Sequence, residues 1–209
     1  MERAKRDQIL AAAIVRFSRD GYENTKWADI AADVGVGATA LYHYFDSKQH
    51  CLLVILDDAI HEALVRLDRI TIAEPDPERT LRLVLEDAFD LTTLGIQSLR
   101  VLVAEHGVLS RRDGPATAVQ PARQAARART RQLELAWAAL LERAMAAGIA
   151  PVCNPRLLAR AVLGLYNSIW HWYRPGGEIP LELVAAFYRA KMLGMIGIGP
   201  PISEKLRAA

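Results

Sequence analysis

Cysteine is scarce in this 209-residue chain: Cys51 and Cys153 stand alone, form no motif and suit a reducing cytosol. Proline is missing before Pro75, all ten prolines lying at or beyond that position. Long apolar runs are missing too, and no segment approaches a membrane span. The opening Met1-Glu-Arg-Ala-Lys-Arg, followed by apolar residues 9–15, imitates a signal peptide. That run is short, is broken by Arg16 and lacks a cleavage-like site, so a soluble, cytoplasmic protein is expected. Alternating β-branched runs between hairpin turns are absent, which argues against strands. Charge of one sign is absent as well. The net charge is +2, and in residues 1–48 seven basic side chains meet seven acidic ones, so bulk charge does not announce nucleic acid. No Ser/His/Asp or Cys/His constellation can be recovered, and the five histidines have no metal-ligand rhythm. The run from Gly194 to Gly199 has no strand before it and no helix after it, so it is not a phosphate loop. An enzyme, a metal site and a bound cofactor are not expected.

What is present is helical punctuation. At 52% hydrophobic and 24% charged residues, the chain can bury a substantial core. Prolines at 75/77, 115/121, 151/155, 175/180 and 200/201 fall where helical patterns stop. The expected helices are about 4–20, 27–34, 38–44, 47–72, 77–94, 96–109, 120–148, 155–173 and 180–197. The fold class is all-α: a three-helix head on a larger helical body, about nine helices in all. Ser47 is the expected cap of the long helix, whose stripe Leu52, Ile55, Leu56, Ala59, Ala63, Leu64 and Leu67 has helical period. Asn154 before Pro155 is a good cap for the next-to-last helix.

The stretch from Trp27 to Lys48 carries the most information. It reads as two short helices around Gly35-Val36-Gly37, the spacing of a helix-turn-helix whose second helix enters the DNA major groove. Ile30, Ala31 and Val34 form the buried stripe of the first helix, with Val36, Leu41 and Phe45 completing the packing. Gly35 supplies a left-handed end to that helix. Together with Ile9 through Phe17, Gly21, Thr25, Tyr42 and Ser47-Lys48, these residues make the first 60 or so positions resemble the TetR (tetracycline-repressor) family of transcriptional regulators. Two departures are Gly37, where the family usually has a capping Ser, and Cys51, where it usually has Leu. Glycine is a tolerable cap.

The candidate DNA residues are Thr25, Lys26, Ala38, Thr39, Ala40, Tyr42, His43, Tyr44 and Lys48. Thr39 offers a base edge a hydroxyl or a methyl, and Ala38 and Ala40 permit close approach to a thymine methyl. Tyr42 and Tyr44 suit phosphate oxygens, with Lys48 reaching the backbone from the next helix. The resemblance implies base and phosphate contacts at 38–40 and 42–44 and a phosphate contact at Lys48. His43 reads equally as contact or packing. Thr25 is expected to present backbone N–H groups to a phosphate. Arg3, Lys5 and Arg6 read as a flexible basic arm or as a solvated terminus. Trp27 is larger than the family's usual residue there, and burial under helix one is the expectation, with base stacking the alternative. The DNA-binding domain is taken as 1–48 and the ligand-binding and dimerisation domain as 49–209.

In the body, the resemblance implies a homodimer through the last two helices, about 155–197, with Ala161, Gly164 and Ser168 allowing close approach. Candidate ligand residues are Phe89, His106, Arg127, Trp137, Tyr166, Asn167 and Trp170, with Trp172, Tyr173 and His171 near them in sequence. They describe a pocket or a packed core. Arg111, Arg112, Arg123, Arg127, Arg129 and Arg131 read as a solvated face or as an anion clamp. The ending from Trp172 to Gly177 is similar to a subgroup associated with acyl-coenzyme A ligands. The expected partners are therefore operator DNA, a small-molecule effector and a second copy of the chain, and no membrane. The reading is a repressor released by an amphipathic anionic effector through a swing of the long helix. An effector-independent architectural DNA binder and a helical enzyme are the alternatives.

Overall fold

The structure, a computed structural model, describes residues 2–110 and 119–199. Nine α-helices and one 3-10 helix make up the regular structure among these described residues, with no β-strand, as the all-α reading expects. The helices are α1 (Glu2–Asp20), α2 (Trp27–Asp33), α3 (Lys48–Ala73), α4 (Pro77–Asp87) and α5 (Thr93–Glu105). They continue with α6 (Gly107–Ser110), α7 (Gln120–Ala146), α8 (Pro155–Trp172) and α9 (Leu181–Ile196); the 3-10 helix is Ala38–His43.

The helix starts have local causes. Asp76, Thr92 and Asn154 accept backbone N–H groups from Arg79, Gly95 and Arg156/Leu157, and Ser47 Oγ accepts the His50 N–H. Each such cap is worth about 1 kcal/mol. The expected helix 77–94 stops early, at Asp87, and the helix expected from 96 starts at Thr93. The chain tightens after α4 through Phe89→Glu86 and Asp90→Asp87 hydrogen bonds, and the Thr92 cap starts α5 afresh. The expected helix 96–109 breaks at His106, with α6 following as a single turn.

Two compact units result. The first spans Met1–His61 and Thr92–Thr130 and holds α1, α2, the 3-10 helix, residues 48–61 of α3, α5, α6 and residues 120–130 of α7. Its core is built from Ile9, Ala13, Phe17, Ile30, Leu41, Phe45, Leu52 and Leu56. Cys51 is buried among them, which pushes its thiol up to about 12 and makes it inert at neutral pH. Arg100 on α5 donates to the Ser18 hydroxyl and carbonyl, and Arg129 on α7 pairs with Asp57 on α3 at 2.7 Å.

The second unit spans Glu62–Leu91 and Arg131–Ala209, and it contains the rest of α3 and α7 with α4, α8 and α9. Leu81, Leu85, Leu140, Leu141, Val162, Ile169 and Met192 form its core. Arg66 on α3 donates to the Asp87 carboxylate and to the Asp87 and Asp90 carbonyls, binding the end of α4 to α3. At 26 residues, α3 is about 39 Å long.

Candidate nucleic-acid interface and ligand cluster

Gly35 ends α2 at φ +68°, a conformation that costs glycine little, and Val36 N–H returns to Ala31 O. Gly37 has no side chain to cap the next N–H groups, so the segment tightens into i→i+3 bonds, Ala40 to Gly37 and Tyr44 to Leu41. The expected recognition helix 38–44 is therefore a 3-10 turn. Leu41 and Phe45, both fully buried, pin it to the core. Ala38, Thr39, Tyr42 and His43 are exposed, while Ala40 and Tyr44 are half-buried. His43 is thus on the surface rather than packed. Beneath the turn, the half-buried Trp27 ring stands edge-on to Phe45 and Tyr42, at 6.4 and 6.5 Å between centroids. The Arg6 guanidinium lies 5.2 Å over the Phe45 ring.

The other expected DNA residues divide. Lys26 is exposed beside α2. Thr25 corrects the expectation placed on it. Its N–H donates to Gly21 O and Tyr22 O, its hydroxyl donates to Gly21 O at 2.8 Å, and the residue is buried, so it closes the turn after α1 instead of facing a phosphate. Lys48 Nζ donates to Tyr22 O (2.7 Å) and Thr25 O (2.8 Å) and sits 4.2 Å over the Tyr22 ring. An ammonium has three protons, so one remains after these two bonds. The flexible arm is also corrected. Arg3, Lys5 and Arg6 lie in the first turns of α1, and Lys5 Nζ donates to Val34 O at 2.8 Å, fastening α1 to the end of α2. Arg16 forks onto Asp33 (2.6 and 2.7 Å), which holds that carboxyl below its ordinary range.

In the second unit, Phe89, Tyr166 and Trp170 converge, with centroids 5.4 to 6.3 Å apart, and Tyr173 stands 6.2 Å from Trp170. Tyr166 donates to Ala88 O at 2.7 Å, and burial raises its phenol pKa. The Trp170 indole N–H is buried without a well-aligned acceptor, though it favours the ionised form of the neighbouring Tyr166. Trp137 is buried on α7 outside this ring set, and Asn167 is half-buried on α8. An open depression of about 500 Å³ in the same unit is lined by Ile70, Leu83, Glu86, Asp87 and Asp90.

His106 and Arg127 belong to the first unit: His106 is exposed at the end of α5, and Arg127 Nε donates to Leu109 O. The arginine series on α7 is not a uniform solvated face, because Arg123 is 2% exposed whereas Arg127 and Arg131 are exposed. Arg111 and Arg112 lie outside the described residues.

The outer faces of α8 and α9 are apolar and uncovered. Leu157, Ala161, Gly164 and Trp172 share one face of α8, and Leu183, Phe187 and Gly194 share one face of α9, all exposed. A Cβ at Gly164 or Gly194 would meet nothing within 4 Å. Gly194 is a surface position within α9, which closes at Gly197 with φ +91°, in line with the expected helix 180–197.

Comparison with known families decides the class. The model for bacterial regulatory proteins of the tetR family matches residues 9–55, and the model for the tetracyclin repressor-like C-terminal domain matches residues 76–196. The chain belongs to the TetR family. It is similar to the HTH-type transcriptional repressor KstR2 of Mycolicibacterium smegmatis, at 26% identity over 92% of this chain and 91% of that one. Among solved structures it is similar to the TetR-family regulator PfmR from Thermus thermophilus (TM-score 0.76, 25% identity, 92% and 99% of the two chains). The AibR complex with isovaleryl coenzyme A and operator DNA shares the fold (TM-score 0.74, 23% identity, 95% and 100% of the two chains). As a member of this family, the protein is accordingly a bacterial regulatory protein with a tetR-type N-terminal region and a tetracyclin repressor-like C-terminal domain. No described helix is long and apolar enough to cross a membrane.

Proposed function

We propose that this repressor acts as a homodimer on a near-palindromic operator and is released by an amphipathic anionic effector, with an acyl-coenzyme A thioester as the ligand class. The uncovered apolar stripes of α8 and α9, with glycines where a partner helix would approach, carry the dimer reading. One short turn offers too few base contacts, and a two-fold pair doubles them. In this reading Thr39, Ala38 and Ala40 read base edges. Tyr42, His43, Tyr44, Lys26 and the remaining proton of Lys48 serve phosphates. The head extends over 1–48 and the ligand-binding and dimerisation part over 49–209.

For the effector, the rings of Phe89, Tyr166 and Trp170, with Trp137 and Asn167 in the same unit, would take the acyl chain, and the poorly paired Trp170 N–H is a donor for its carbonyl. His106 and Arg127, in the first unit, are candidates for an anion in their own right and are not placed beside these rings. The solved AibR complex with isovaleryl coenzyme A supports the ligand class. Effector binding would favour a state in which the two recognition turns cannot occupy both half-sites, by as much as the ligand prefers that state.

The test is release from operator DNA by an acyl-coenzyme A, its free acid and coenzyme A alone, in wild type and Arg127→Ala. The thioester should act at the lowest concentration, with its potency reduced in Arg127→Ala. Equal potency of acid and thioester, with Arg127→Ala unchanged, would remove the anion contact. An effector-independent regulator is the second reading, favoured by the mutual packing of Phe89, Tyr166 and Trp170. It expects no thermal shift with any compound of a metabolite panel.

A further inference from the structure

The head contains a buried donor that the protein alone does not satisfy. Trp27 opens α2, its ring set edge-on between Phe45 and Tyr42, and its indole N–H is buried without a hydrogen-bond acceptor. A buried N–H left unpaired is unfavourable. Packing does not require it, because a phenylalanine ring would fill much of the same space with no polar atom. The aromatic neighbours of the indole can offer it at most a ring face, which is a weak acceptor.

We propose that Trp27 is a DNA-backbone contact of this repressor, its Nε1–H donating to a phosphate oxygen of the bound operator. The inference rests on the reading of residues 38–43 as the DNA-facing turn. In a helix-turn-helix the first helix crosses the sugar–phosphate backbone while the second approaches the bases, so a donor on α2 meets phosphate first. The immediate surroundings agree with an anion. Lys26, exposed, directly precedes Trp27, and Tyr42, 57% exposed, brings a hydroxyl-bearing ring to within 6.5 Å of the indole. Tyr42 is also the exposed member of the pair, so its side chain can be rearranged at little cost when DNA is bound. The bound state then pairs a donor that the free state leaves unsatisfied, and the gain appears only in the complex.

Trp27→Phe separates the donor from the ring. In the full-length protein, titrated against a labelled operator duplex, this change should weaken binding about tenfold, the loss of one hydrogen bond to a charged acceptor. The thermal midpoint should change little, the removal of an unpaired buried donor offsetting the lost ring volume. The loss should be the same on single-base operator variants, since phosphates carry no sequence. The dependence of affinity on salt should keep its slope, because an uncharged donor releases no counterion. Wild-type affinity in Trp27→Phe overturns the proposal. So does a loss matched by a lowered thermal midpoint, which would assign Trp27 to packing, and so does a loss confined to particular base changes. If the wild-type protein selects no duplex at all, the DNA-facing reading of 38–43 itself fails, which none of the other outcomes implies.

Discussion

The 3-10 turn of the first unit and the outer faces of α8 and α9 in the second both leave side chains uncovered, and the two sets differ in kind. On the turn they are a hydroxyl, a phenol, an imidazole and one alanine, held by the buried Leu41 and Phe45. On α8 and α9 they are Leu157, Trp172, Leu183 and Phe187 with Ala161, Gly164 and Gly194 among them. Small and hydrogen-bonding groups on a rigid support suit a partner that is itself polar and patterned. A smooth apolar stripe with glycines suits another helix. Exposure alone therefore says little, and the chemistry of what is exposed, set against what anchors it, points to the partner.

The contrast breaks most sharply at Gly164. Because a side chain there meets nothing within 4 Å in its own subunit, Gly164→Glu should leave the monomer folded. Across a two-fold it would set two carboxylates in an apolar contact, at a cost of several kcal/mol. Sedimentation should report monomers that keep their helical content, operator protection should vanish, and the thermal midpoint should lose its dependence on protein concentration. An intact dimer would move the interface away from this face.

Within the turn, Thr39→Ala and Lys48→Ala separate reading from anchoring. Thr39 is exposed and holds no other element, so its loss should remove about 1–3 kcal/mol of discrimination at one base pair while stability stays level. Lys48→Ala should weaken all duplexes alike and reduce the salt slope by about one. It should also lower the thermal midpoint, since Lys48 holds the carbonyls of Tyr22 and Thr25. A lowered midpoint with an unchanged slope would make Lys48 a positioning residue only.

The smallest effect concerns the support of the head. Arg16 depresses the Asp33 pKa, first through its hydrogen bond and then through its charge, against some desolvation. A depressed carboxyl contributes stability above its ordinary value near 4, and that contribution disappears as pH falls through the lower folded value. Asp33→Asn should therefore change the thermal midpoint slightly at neutral pH and flatten its decline in acid. Both residues are partly exposed, which keeps the effect small. Identical acid limbs for the two proteins would show that the pair contributes nothing measurable.

Much of the fold was legible because its signals are local. Gly21 and Gly35 sit at positive φ where the helix ends were expected, and Ser47 and Asn154 cap the helices assigned to them. The break between α4 and α5 was expected a few residues too late, at about 95, because Thr92 caps α5 inside a stretch whose apolar period continues across it. The site was legible only in part. Lys5, Arg6 and Lys48 have the right chemistry for DNA, yet backbone carbonyls and ring faces distant in sequence occupy them wholly or partly, and Thr25 is taken up by the local carbonyls of Gly21 and Tyr22. The role of Asp87 as the meeting point of Arg66 and Arg69 had no sequence signal beyond the Glu62–Arg66 spacing on α3.

The sequence by itself determined the helical class, the helix-turn-helix and the family, because hydrophobic period, glycine ends and capping residues act within a few positions of chain. Tertiary structure alone decided which candidate groups are already engaged and which face outward. It also decided which rings meet: Phe89 with Tyr166 and Trp170 in one unit, Trp27 with Phe45 and Tyr42 in the other. Those outcomes depend on contacts between residues far apart in the chain, where the desolvation of a side chain is set by packing and not by its neighbours in sequence.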